Sequence, residues 1–152
     1  MNYTFKDFIR CINHLMPETW ERNRWSYITY IAFLTQYDIS RRLIFKKAVK
    51  YIHNGELISK TSFYIGEFLV IQSKDIEEIE HEEIFGEYSI PRSVEERIKT
   101  IIDRYRNYKG WQISLEIRRM LNLTLEKWID YRGMDVDEYL YLERYKLRHK
   151  EI

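Results

Sequence analysis

The chain of 152 residues holds one cysteine, two prolines and five glycines. Cys11 has no second cysteine to pair with, so an internal disulfide is excluded and a reducing, cytoplasmic setting is expected. So little glycine and proline leaves scant material for linkers or long irregular stretches. The same scarcity removes the phosphate-cradling loops, since neither GxGxxG nor GxxxxGK occurs. HExxH, CxxC and GxSxG are also missing, and with them the strongest zinc and nucleophile signals. The longest apolar run, near residues 27–34, is far short of a bilayer span, so no membrane partner is expected. The opening MNYTFKDF lacks the basic and long apolar regions of a secretory signal. Nor is there an excess of either charge: 25 Lys and Arg face 24 Asp and Glu, for a formal +1. Nucleic-acid affinity would therefore have to come from a local patch.

Hydrophobic residues make up 45% of the chain, aromatics 16% and charged residues 32%, which together predict a folded globular protein. With no repeat and no linker, residues 1–152 read as one domain, mainly α with a small β-hairpin. The stretch 25–57 organises it. Trp25, Tyr27, Ile28, Tyr30, Ile31, Phe33, Leu34 and Tyr37 make a helix that is apolar on every side and belongs in the core. Asp38, Ile39 and Ser40 read as a polar turn. A basic amphipathic helix is predicted next, with Ile44, Phe45, Ala48, Val49 and Ile52 on one face and Arg42, Lys46, Lys50 and His53 opposite. Asn54 and Gly55 would stop it. The outline is that of a helix-turn-helix.

Elsewhere Thr4 and Asp7 look like a capping box before the stripe Phe5, Phe8, Ile9, Ile12 and Leu15. After Gly55 the period changes: 56–59 reads as extended, and 63–65 and 68–71 as strands joined through a two-residue turn at Gly66 and Glu67. The acidic block 75–87 reads as a short surface helix. Ser93 and Glu96 suggest a second capping box, followed by Val94, Ile98, Ile101, Ile102 and Tyr105 facing inward. Helices over 111–121, over 125–131 behind Thr124, and from Asp135 onward complete the chain.

Two of these regions carry a family resemblance. Residues 25–58, ending in AVKYIHNGELI, resemble the helix, turn, helix and exit of winged-helix domains, with the hairpin as wing. Residues 102–128, IDRYRNYKGWQISLEIRRMLNLTLEKW, resemble the C-terminal part of the Panacea or SocA-like antitoxin family. That family's Gly-Pro-Val signature has no counterpart at residues 38–40 or 64–67. The resemblance implies a non-enzymatic helical module that binds DNA or another protein.

Candidate chemistry is sparse. Glu77, Glu78, His81 and Glu82 could meet a metal from one helical turn, but a solvated acidic face is the expected reading, and no metal or cofactor is predicted. Cys11 and His14 are three residues apart, and a buried structural thiol is expected there. No catalytic residue is assigned. The sharper feature is residues 41–53, which carry Arg41, Arg42, Lys46, Lys47 and Lys50 and no acid. Several cations presented together are what phosphate contact requires. They could equally be the solvated face of a helix, neutralised by the acids of 75–87. The leading expectation is a DNA-binding regulator that uses these five residues on double-stranded DNA, with homodimerisation suggested by the aromatic C-terminal helix. The alternative is a protein-binding module of antitoxin or inhibitor type.

Overall fold

The computed structural model of this chain describes residues 4–17, 24–40, 50–53, 56–59 and 61–150. Its helices are α1 (Phe5–Leu15), α2 (Arg24–Ser40), α3 (Lys74–Glu77), α4 (Arg92–Tyr105), α5 (Gly110–Met120), α6 (Leu125–Tyr131) and α7 (Val136–Lys150). The strands β1 (Lys50–His53), β2 (Glu56–Ser59), β3 (Tyr64–Ile65) and β4 (Ile71–Gln72) form two small antiparallel sheets, β1–β2 and β3–β4. The architecture is mainly helical.

Helix α2 lies at the centre because no face of it is polar enough for water. Every residue from 27 to 36 is buried, with α1, α4 and α5 packed around it and β4 and α3 against its far end. Its buried threonines are satisfied within the helix: Thr29 donates to the Trp25 carbonyl at 2.6 Å and Thr35 to the Ile31 carbonyl at 2.8 Å. Phe33 meets Phe63 edge to face, ring centres 5.3 Å apart. The stripes predicted for α1 and α4 are buried as expected at Phe8, Ile9 and Ile12, and at Val94, Ile98, Ile101, Ile102 and Tyr105.

The ends of the helices show where local chemistry decides. The Thr4–Asp7 capping box forms in both directions. Thr124 caps α6 by accepting from the Lys127 amide, and Asp135 accepts from the amides of Asp137 and Glu138 at the start of α7. The box expected at Ser93 does not form. Pro91 stands at the cap, its carbonyl accepting from the amides of Val94 and Glu95, so Ser93 falls inside the first turn. Helix α5 ends in a Schellman motif: Asn122 is left-handed at φ 51°, and the amides of Leu123 and Asn122 reach the carbonyls of Arg118 and Arg119.

The helix-turn-helix outline is corrected at two points. Asp38, Ile39 and Ser40 do not make a turn but continue α2 to its end. Asp38 is held there by an ion pair with Arg97 of α4 at 3.1 Å, a partner that sequence spacing could not show. The predicted basic helix does not reach His53 either, for Lys50–His53 is strand β1. It pairs with β2 in the register Lys50–Ser59, Tyr51–Ile58, Ile52–Leu57 and His53–Glu56. Tyr51, Ile52 and Ile58 are residue types of high strand propensity.

The hairpin expected across Gly66 is present, with a different turn. Tyr64 pairs with Gln72 and Ile65 with Ile71, and a 3-10 turn over Glu67–Leu69 connects them. The left-handed residue is Leu69 at φ 65°, while Gly66 has φ −87°, so the two-residue turn is not used. On its other side β3 is stitched to the α6–α7 connection: the Ile65 amide donates to the Met134 carbonyl, and the Gly133 and Val136 amides donate to the Ile65 and Phe63 carbonyls. The acidic block is likewise not one helix. It divides into α3 and a 3-10 turn over His81–Phe85, each dropping one isoleucine, Ile76 or Ile84, into the core.

Candidate nucleic-acid interface

The cationic segment lies in the chain between α2 and Thr61. Arg41, Arg42, Lys46 and Lys47 lie outside the described residues, and Lys50 opens β1 opposite Ser59. Residues on either side of this interval are fastened to each other. The buried Gln36 side chain donates from Nε2 to the Thr61 carbonyl at 2.8 Å and accepts from the Thr61 amide at Oε1, 3.2 Å. Thr61 Oγ1 then contacts Ser73 Oγ at 3.1 Å and donates to the Asp75 carboxylate. Gln36, Thr61, Ser73 and Asp75 thus form one polar knot, buried at Gln36, Thr61 and Ser73.

The acidic block does not extend freely from that knot. Tyr64 donates to Glu77 at 3.1 Å, and burial, together with the Glu77 carboxylate, raises the Tyr64 pKa. At its other end Lys6 of α1 pairs with Glu83 at 2.6 Å. Arg10 of α1 donates from Nε to the Glu83 carbonyl at 2.6 Å and from an η nitrogen to the Glu87 carbonyl at 3.4 Å, and Asn13 reaches the Ile84 carbonyl at 3.3 Å. Among the described residues, the cations that meet this block at Glu83 and Glu87 come from α1. No group of three or more His, Cys, Asp or Glu side chains that could hold a metal is found among the described residues.

Cys11 is fully buried. Its polar neighbour is Tyr88 and not His14. Burial pushes the thiol up to about 12, against a hydrogen bond from Tyr88 that pulls the other way. Burial, and then the thiol itself, also raises Tyr88 to about 12. His14 is exposed and rests on the Tyr88 ring, 5.7 Å between centres. A thiol held so far above neutrality is a weak nucleophile.

A second cationic stretch had no place among the predicted site residues. Residues 104–115, RYRNYKGWQISL, contain Arg104, Arg106 and Lys109 and no acid. They form the end of α4, the turn and the first half of α5. The Tyr27 hydroxyl donates to the Tyr108 carbonyl at 2.5 Å, and Arg106 donates to the Leu15 carbonyl at 3.0 Å. Lys109 donates its amide to Gln112 Oε1 at 2.7 Å, starting α5. Tyr108 is 39% exposed and Trp111 62% exposed. The alternation of aromatic and basic residues was the available signal. Tyr27 lies near the start of α2 and Gln36 near its end, roughly 14 Å apart along the helix.

Comparison with known proteins gives no match to a family model, a curated protein or a solved structure. Among the described residues no helix is long and apolar enough to cross a membrane.

Proposed function

We propose that the protein is a non-enzymatic, cytoplasmic DNA-binding regulator, winged-helix-like in plan, that contacts duplex phosphates through Arg41, Arg42, Lys46, Lys47 and Lys50. The observation that carries the reading is the run of five cations with no acid from 41 to 53, leading directly into the β1–β2 hairpin. A two-stranded ribbon is an element of the size a DNA groove admits, and Lys50 lies on its first strand. On either side of the segment in the chain, Gln36 and Thr61 are joined in the core.

The test is a fluorescence-anisotropy titration against mixed-sequence duplex at several salt concentrations. Changing Arg42, Lys46 and Lys50 together to Glu should abolish binding while the helical circular-dichroism signal is kept. Wild-type affinity should fall with salt by roughly 0.9 log units per log unit of salt for each phosphate neutralised. Salt-insensitive binding, or none at low salt, overturns general duplex affinity.

A different observation favours the second reading, a protein-binding module of antitoxin or inhibitor type. Leu125 and Ile129, one turn apart on α6, are 60% and 59% exposed. Two large aliphatic side chains left together in water suit a protein contact, with a partner or a second copy of this chain. Replacing both by Glu should abolish such a complex in size-exclusion chromatography and leave duplex affinity unchanged.

A further inference from the structure

Trp111 is the most exposed large apolar side chain among the described residues, at 62%. It sits on a rigid base. The backbone beside it is pinned by the Tyr27 hydroxyl at the Tyr108 carbonyl, by Arg106 at the Leu15 carbonyl and by the Lys109–Gln112 bond. The Tyr108 ring is braced edge to face on buried Tyr105, 5.1 Å between centres, and remains 39% exposed. Arg104 and Lys109, both exposed, lie in the same stretch, and the Tyr105 hydroxyl hydrogen-bonds with both Glu116 and Arg104. The nearest acids along the chain are Asp103 and Glu116, at the two borders of the stretch.

Aromatic faces held open to solvent, spaced among cations, match one ligand chemistry: unstacked bases on a phosphate backbone. A duplex hides its base faces within its own stack, and a neutral apolar partner would have to strip water from the flanking cations without compensation. We infer that the α4–α5 turn binds single-stranded nucleic acid, with bases stacking on Trp111 and Tyr108 and phosphates facing Arg104 and Lys109. The turn is held beside Tyr27, near the start of α2, and its residues are distinct from those of the 41–50 segment, so the inference does not depend on duplex binding there.

The test is titration of the full chain with a fluorescein-labelled dT12 oligonucleotide at low salt. Binding is expected, weakened about ten-fold or more by Trp111→Ala and largely kept by Trp111→Phe, as loss of one stacked base predicts. Lys109→Glu should weaken it and flatten the salt dependence by roughly 0.7 log units per phosphate lost. This second variant reads the site should Trp111→Ala fail to fold. Absence of wild-type binding, or equal affinity of the Trp111→Ala and Lys109→Glu proteins with the wild type, overturns the assignment. The triple Glu variant at 42, 46 and 50 should still bind dT12, which separates failure of this site from failure of the duplex reading. Loss of dT12 binding in that variant alone would place the strand on the 41–50 segment and overturn the inference.

Discussion

The amide of Gln36 holds both backbone polar groups of Thr61, donating to its carbonyl at 2.8 Å and accepting from its amide at 3.2 Å. Gln36 is 5% exposed and Thr61 2%, so neither group has recourse to water. Buried backbone groups outside a helix or ladder need such a partner. A primary amide suits the task because it carries one donor and one acceptor side by side.

Gln36→Met keeps the shape of the side chain and removes both bonds. Two buried groups are left unsatisfied, and the expected loss is on the order of 2–4 kcal/mol. Urea unfolding followed by circular dichroism measures it, and a change under about 0.5 kcal/mol would show that the pair is not a clasp.

Phe33→Ala should cost about 3–5 kcal/mol, because it opens a cavity in the centre of the core. Part of that loss belongs to the edge-to-face contact with Phe63. A double-mutant cycle with Phe63→Leu should give a coupling of roughly 0.5–1.5 kcal/mol beyond the burial of each ring. Zero coupling would contradict the ring contact.

The Cys11 thiol, raised by burial from 9.0 to about 12, ties stability to alkaline pH. Between these values the folded protein binds the proton more tightly than the unfolded chain. The contribution is therefore complete below pH 9 and lost as pH rises toward 12. Cys11→Ala should flatten this part of the stability profile. At pH 8, iodoacetamide should alkylate the thiol only as fast as the protein opens, and labelling at the rate of a free thiol would show an accessible site.

Arg10 and Lys6 both hold Glu83, by different means. Arg10→Met removes charge-assisted bonds to the backbone carbonyls of Glu83, in the 3-10 turn, and Glu87, just past it, and should cost about 1.5–3 kcal/mol. Lys6→Met breaks a partly exposed ion pair and should cost less than about 1 kcal/mol. Equal losses in thermal unfolding would mean that the turn is held by charge and not by its backbone bonds.

The helices of the C-terminal half were legible because their signals are local. Thr124 and Asp135 sit beside the amides they cap, and the Val94-to-Tyr105 stripe lies within one helix. The misread positions depend on distant partners. Asp38 looks like a turn residue until Arg97 is set against it, 59 residues along the chain. Tyr51 and Ile52 fit a helical stripe as well as a strand, and the pairing with Leu57 and Ile58 decides between them. Asn54 and Gly55, read as a helix stop, lie between the paired residues His53 and Glu56, where the dipeptide is a hairpin signal. The site residues were legible as charge and no further, since what separates a phosphate contact from a solvated face is a ligand.

The clasp between Gln36 and Thr61 also bears on how this protein can change. Because Gln36 and Thr61 are tied to each other in the core, each doubling of the chain between them adds only about 0.6 kcal/mol of closure entropy. The helices around α2 need not repack to accommodate it. Insertion, deletion or wholesale exchange between Ser40 and Thr61 is therefore expected to leave the stability of the helical core nearly unchanged. That interval can vary in sequence and length on a constant fold.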